Sequence, residues 1–298
     1  MPELQGILVP LITPFTADGR IATDALEALA ESVLDAGATG LVALGTTGEP
    51  SSLDAVEKQL VIEVCAAACH PRGATLIVGT DNPAQLTRWP DVTAALVTVP
   101  PFTRPGEAGV LAHFTRLAAT SPVPLVIYHV PYRTAQPLSA TTLRAVGSLP
   151  NVAGVKLATG TVDHDTVSLL GDCPPDFAVL AGDDVIAGPL LALGAAGGIL
   201  ASAHLATADF VALHTAWSRG DLAAARELGP PLARLSVATF AEPNPTVLKG
   251  ALHALGRIPT PDVRLPLLPA APESVESLVS ALRCGRSCPR TASPSQLV

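Results

Sequence analysis

Lysine is scarce in this chain. Three occur in 298 residues, Lys58, Lys156 and Lys249, and the formal net charge is -8. This acidic balance argues against electrostatic nucleic-acid binding, which needs a basic face or stripe. Long apolar runs are missing too. Although 48% of residues are hydrophobic, a charge, a proline or a polar residue breaks every stretch before it reaches membrane-spanning length, so no membrane association is expected. The opening Met-Pro-Glu-Leu-Gln-Gly (1–6) lacks the basic start and apolar core of a secretory leader. The expected location is cytoplasmic. Cysteines number five, Cys65, Cys69, Cys173, Cys284 and Cys288, and no Cys-x-x-Cys pair accompanies the i, i+4 couple Cys65 and Cys69. They read as small core residues, and no metal site is expected.

What is present is a regular alternation. Apolar runs at 6–12, 40–45, 75–80, 94–99, 124–130, 152–158, 177–182 and 198–201 predict strands buried on both faces, as in parallel sheets. Helical patterns at 23–36, 53–68, 107–119, 139–146, 162–170 and 184–193 separate them. This predicts an α/β fold, a (β/α)8 TIM barrel over residues 1–205. A doubly wound open sheet is the alternative, but no Gly-x-Gly-x-x-Gly opens the first βα turn. The connection 81–93, with Pro83, Trp89 and Pro90, has room for a truncated helix only. Further helical patterns at 208–218, 222–240, 246–255 and 274–282 predict a C-terminal helical extension over 206–284. The remainder, 285–298, has the composition of a disordered tail.

Lys156 interrupts Asn-Val-Ala-Gly-Val-Lys-Leu-Ala (151–158), a run that reads as a buried strand. An ammonium placed there loses hydration, and a desolvated lysine of lowered pKa is a Schiff-base nucleophile. The plainer alternative is a strand-end lysine whose head reaches solvent or a structural carboxylate. Barrel active sites lie at the C-terminal strand ends. There, Gly45-Thr46-Thr47-Gly48-Glu49 offers hydroxyls and backbone N–H groups suited to a small carboxylate, or an ordinary capping turn. Tyr128 and His129 end the fifth strand and point to opposite faces; Tyr128 is the candidate for proton transfer. Arg133 lies just beyond and is suited to clamping a carboxylate. Asp183 and Asp184 offer an acid or base at the site, or more simply a cap for the helix that follows them, and the cap is the favoured reading. Lys58 and Lys249 read as surface or helix-end charges.

The motifs Gly-Thr-Thr-Gly-Glu (45–49), Tyr-His-Val-Pro-Tyr-Arg-Thr (128–134) and Gly-Val-Lys-Leu-Ala-Thr-Gly (154–160), with Gly182-Asp-Asp, resemble the dihydrodipicolinate synthase/N-acetylneuraminate lyase family. The likeness runs from about Gly6 to Leu282. It implies a pyruvate-dependent class I aldolase or lyase on a (β/α)8 barrel, a homo-oligomer built as a dimer or tetramer, with no cofactor beyond the covalent lysine adduct. By resemblance, Lys156 forms the Schiff base and Thr46 and Thr47 bind the pyruvate carboxylate with the backbone near Ile199. Tyr128 and Thr47 then serve proton transfer. Arg133 matches the synthase branch, where it holds the carboxylate of L-aspartate 4-semialdehyde on the way to lysine and diaminopimelate.

One departure stands out. The family's relay tyrosine, which crosses a dimer interface, is replaced by Phe102, without a hydroxyl. The alternatives are therefore an aldolase for another 2-oxo acid, such as a 2-keto-3-deoxy sugar acid or 4-hydroxy-2-oxoglutarate, or a catalytically weak paralogue that binds 2-oxo acids. The groups around Ser51, Ala55, Lys58 and Pro101 are poor partners for a lysine ligand, so feedback inhibition by lysine is not expected.

Overall fold

The computed structural model describes residues 4–287. Eight strands, β1 (Gly6–Pro10), β2 (Gly40–Ala43), β3 (Thr75–Gly79), β4 (Ala94–Thr98), β5 (Leu125–His129), β6 (Val152–Leu157), β7 (Ala178–Ala181) and β8 (Gly197–Ile199), close into a barrel in chain order. Every pairing is parallel, and β8 returns to β1 with Leu8 opposite Ile199. The connections carry α1 (Thr23–Asp35), α2 (Ala55–Cys69), α3 (Gly106–Thr120), the single turn α4 (Pro131–Thr134), α5 (Ala140–Gly147), α6 (His164–Gly171), α7 (Ala187–Ala192) and α8 (Ala203–Ser218). Then follow α9 (Leu222–Thr239), α10 (Thr246–Ala254) and α11 (Pro272–Ser287). The fold is the TIM barrel with a C-terminal helical region.

Side-chain alternation explains why the strands read as unbroken apolar runs. Leu8, Val42, Ile77, Leu96, Val126, Leu180 and Ile199 fill the barrel interior. Their neighbours Ile7, Val9, Leu41, Leu76, Val97, Ile127 and Val155 face outward and pack with Leu26, Ile62 and Phe114 of the helix layer. Each such side chain stabilises the fold by roughly 1.5–3 kcal/mol on burial.

Helix starts follow local chemistry. Asp54 and Glu57 form a reciprocal capping box at α2, and Ser139 and Asp163 cap α5 and α6. The expected truncation after β3 is present as a 3-10 segment, Pro83–Arg88.

The extension packs on the barrel rather than trailing from it. Helix α8 contacts β1 and α1, α9 contacts α8, and α11 contacts α9 and α10. A kink at Ala206 (φ -139, ψ 45) falls where the barrel was expected to end. Thr246–Leu252 of α10 are buried on every side, the pattern of an interior helix. Lys249 sits there with 0% exposure. The expectation of a helix-end surface charge is therefore wrong for Lys249, because the surrounding layers come from distant parts of the chain. From residue 288 on, the tail expected to be disordered lies outside the described residues, while α11 continues to Ser287.

Candidate active site

Lys156 enters the barrel from β6, paired in register with Tyr128 of β5, and is 6% exposed. Its Nζ lies 4.5 Å from the Tyr128 ring centroid, a favourable cation–π distance. Gly182 makes room for the stem, since a Cβ there would lie 2.7 Å from Lys156 Cγ. Burial lowers the Lys156 pKa to about 8, opposed by the charge of Asp184. At pH 7 that leaves about a tenth of the amine neutral, against roughly 0.03% for an ordinary lysine. The gain in neutral amine is several hundred-fold.

Asp184 is 3% exposed, and its Oδ2 accepts the Ser202 backbone N–H at 2.5 Å. Burial raises its pKa to about 6, against the opposing pull of that N–H and of Lys156. Only Asp183 caps as expected, accepting from the Val185 N–H at 3.3 Å. Asp184, not Asp183, is the carboxylate whose charge acts on Lys156.

After β2 the chain turns sharply. Leu44 (φ 55) and Glu49 (φ 54) are left-handed, and a 3-10 turn spans Thr46–Gly48 between them. Thr47 is buried and its Oγ1 accepts from Asn244 Nδ2 at 2.9 Å. Thr46 is half-buried, beside Tyr128. Burial raises the Tyr128 pKa, while Arg133 and the Thr46 side chain oppose the rise. The phenol stays protonated and able to donate at neutral pH. Thr46, Tyr128, Lys58 and Arg88 also line a side cavity of about 670 Å³ that Lys156 does not border.

The remaining candidates diverge. Ile199 closes the interior at the end of β8, 1% exposed. His129 points to the opposite face from Tyr128, buried with Nδ1 unpartnered, and burial lowers its pKa to about 4. Arg133 is exposed on α4, its guanidinium 5.2 Å from the Tyr132 ring centroid and its Nε donating to Tyr132 Oη at 3.0 Å. Its charge reaches both Tyr128 and Lys156. Phe102 stands apart, 89% exposed with φ 64. Among the described residues no group of three or more His, Cys, Asp or Glu is placed to hold a metal ion, and no helix is long and apolar enough to cross a membrane.

Residues 3–284 match the model of the dihydrodipicolinate synthetase family. The chain belongs to this family. It is 36% identical to a 4-hydroxy-tetrahydrodipicolinate synthase of Moorella thermoacetica, over 93% of this chain and 97% of the relative. A Neisseria meningitidis serogroup B protein of the same description is 35% identical, over 94% of this chain and 98% of its own. Among solved structures, dihydrodipicolinate synthase of Thermotoga maritima superposes with a TM-score of 0.90 at 27% identity, covering 96% of this chain and 99% of that one. The Acinetobacter baumannii synthase, solved in complex with pyruvate, superposes at 0.88 with 33% identity, covering 95% and 99%. A dihydrodipicolinate synthetase family member of this kind is an enzyme, a lyase of the class I aldolase type.

Asn244 and the buried pair Glu49–Lys249 escaped the reading of the sequence, and Asp184, weighed there as acid or base, was read first as a cap. The doubled aspartate was the one available signal, and its ambiguity between cap and site is resolved only by what packs over it. Asn244 reaches Thr47 across 197 positions, a separation for which no local pattern exists.

Proposed function

We propose that the chain condenses pyruvate with L-aspartate 4-semialdehyde through a Schiff base on Lys156. The observation that carries this is a barrel-interior lysine of depressed basicity, flanked by Tyr128 and close to the Thr46–Thr47 turn. The neutral amine adds to C2 of pyruvate, and the carbinolamine loses water to leave an iminium. The iminium draws electrons from the adjacent methyl, which gives up a proton and becomes an enamine. The enamine carbon bonds to the aldehyde carbon of the second substrate, whose oxygen takes up a proton, and the iminium so restored gives up Lys156 as water or the substrate's own amine adds at C2. In this scheme the Thr46 and Thr47 hydroxyls and nearby backbone, including that at Ile199, hold the pyruvate carboxylate. Tyr128, which keeps its proton, relays protons to and from the oxygen at C2. Arg133 at the rim meets the carboxylate of the semialdehyde.

The test is borohydride reduction with pyruvate followed by mass analysis. A pyruvyl adduct confined to Lys156 is expected, and no adduct at saturating pyruvate would sink the scheme. A second reading, another 2-oxo acid or aldehyde in place of the semialdehyde, rests on Phe102. A phenyl ring cannot pass a proton between Thr47 and Tyr128. Turnover coupled to each acceptor separates the two readings.

Phe102 also supports a homo-oligomeric enzyme, for it stands 89% exposed on left-handed backbone at the position where the family's tyrosine crosses a dimer interface. Sedimentation of the intact protein tests this; a monomer at all concentrations would refute it.

A further inference from the structure

The β2 turn that carries Thr46 and Thr47 is built as much by the C-terminal extension as by the barrel. Glu49 sits at φ 54, ψ 42, between the 3-10 turns Thr46–Gly48 and Pro50–Ser52. A left-handed glutamate is unfavourable on its own and persists only where its surroundings hold it. Both of its carboxylate oxygens are occupied. Oε1 accepts from Lys249 Nζ at 2.8 Å, and Oε2 accepts the Arg264 backbone N–H at 2.9 Å. The Lys249 ammonium lies 4.0 Å from the centroid of the Phe15 ring, and the Arg264 guanidinium lies 4.3 Å from the same centroid. Arg264 in turn grips Glu57 and the carbonyls of Ser52 and Gly19. The Glu49 backbone N–H donates to Thr46 O at 3.2 Å, so the side-chain anchor passes directly to the carboxylate-binding residue. A second tether, Asn244 Nδ2 to Thr47 Oγ1, leaves from the residue immediately before the α10 cap, Pro245. A threonine hydroxyl that accepts from Asn244 has its own proton free to donate elsewhere.

We infer that Lys249, Glu49 and Asn244 are positioning residues for carboxylate recognition, acting through Thr46 and Thr47, so that the extension is a working part of the site. The inference rests on the Schiff-base reading above and adds to it which residues determine affinity for the anionic end of the first substrate. A buried ion pair that only stapled the fold would leave substrate affinity alone once folding was preserved.

The experiment measures the concentration of probe that half-saturates borohydride trapping on Lys156, with pyruvate and with its uncharged methyl ester. The variant is Glu49→Gln/Lys249→Met, which removes both charges together and leaves no unpaired ion. Far-UV circular dichroism and a single melting transition establish that it is folded. The expected result is a rise of about ten- to a hundred-fold for pyruvate, the weight of a hydrogen bond or two to a charged group. The value for methyl pyruvate should stay nearly unchanged. An unaltered pyruvate value in the folded variant, or an equal rise for both probes, overturns the inference. Should the double variant not fold, Asn244→Ala gives the same two readings without touching the ion pair, and no selective loss there overturns it equally. A wild-type chain that traps no pyruvate would instead remove the Schiff-base reading, and this inference with it.

Discussion

Two lysines are buried in this molecule, and they are opposites. Lys249, in the extension, is paired at 2.8 Å with Glu49, both side chains almost fully buried. Lys156, in the barrel, makes no ion pair within 4.0 Å among the described residues; Asp184 acts on it only through its field, both of them out of water. Burial lowers both pKa values. At Lys249 the Glu49 carboxylate, by charge and hydrogen bond, opposes the fall and keeps the proton in place. At Lys156 the carboxylate with the strongest influence, Asp184, is engaged by Ser202, so the ammonium is destabilised without being paired. One arrangement makes an anchor; the other makes the amine on which the proposed Schiff base depends.

The sharpest way to break the contrast is chemical. Lys156→Ala is expected to abolish the trapped adduct and to lower turnover by about three orders of magnitude or more; Lys249→Met should still trap pyruvate on Lys156 at saturating concentration. Adduct formation on Lys249 in the Lys156→Ala protein would end the distinction.

Stability should move in opposite directions. Lys249→Met leaves Glu49 buried and unpaired, and denaturant unfolding should show a loss of about 3–5 kcal/mol. Lys156→Met removes an uncompensated buried charge and should gain about 1–3 kcal/mol at pH 7.

The sign follows from linkage. The folded pKa of Lys156, about 8, lies below the ordinary 10.5, so between those values the unfolded chain binds more protons. The Lys156 contribution to stability therefore rises with pH across that window and is most unfavourable below it. For the same reason the rate of adduct formation at limiting pyruvate should climb with a midpoint near pH 8. A midpoint near 10.5 would mean that Lys156 is not desolvated as described.

Smaller effects probe the rim. Arg133→Ala should raise the KM for aspartate semialdehyde by about ten- to a hundred-fold and leave that of pyruvate alone; equal changes in both would place Arg133 elsewhere in the mechanism. Phe102→Tyr should raise synthase turnover by up to about ten-fold, and a neutral result would favour another acceptor.

The barrel was legible because its signals are local. Val/Leu/Ile runs and helical periodicity repeat within ten or fifteen residues, and the strand positions follow from them to within a few residues. Lys156 was legible for the same reason: a charge inside an apolar strand is anomalous on its face. Lys249 was not, because its neighbours Val247, Leu248, Gly250 and Ala251 read as an ordinary amphipathic helix. What meets its ammonium comes from Phe15 and Glu49, far away in the chain. Asp184 was misread as a cap because two adjacent aspartates look alike until Ser202 and the lysine single one out. Phe102 could be named as a departure from the family's tyrosine, but its exposure is a property of the folded loop.

By itself, then, the sequence determined the strand–helix alternation, the barrel and the family, and singled out the lysine on which the proposed chemistry rests, since each depends on residue types at short, regular spacing. Tertiary structure decided how each charge behaves. A lysine's proton affinity is set by the water it loses and the carboxylate it meets, and both are supplied by segments up to 200 positions away.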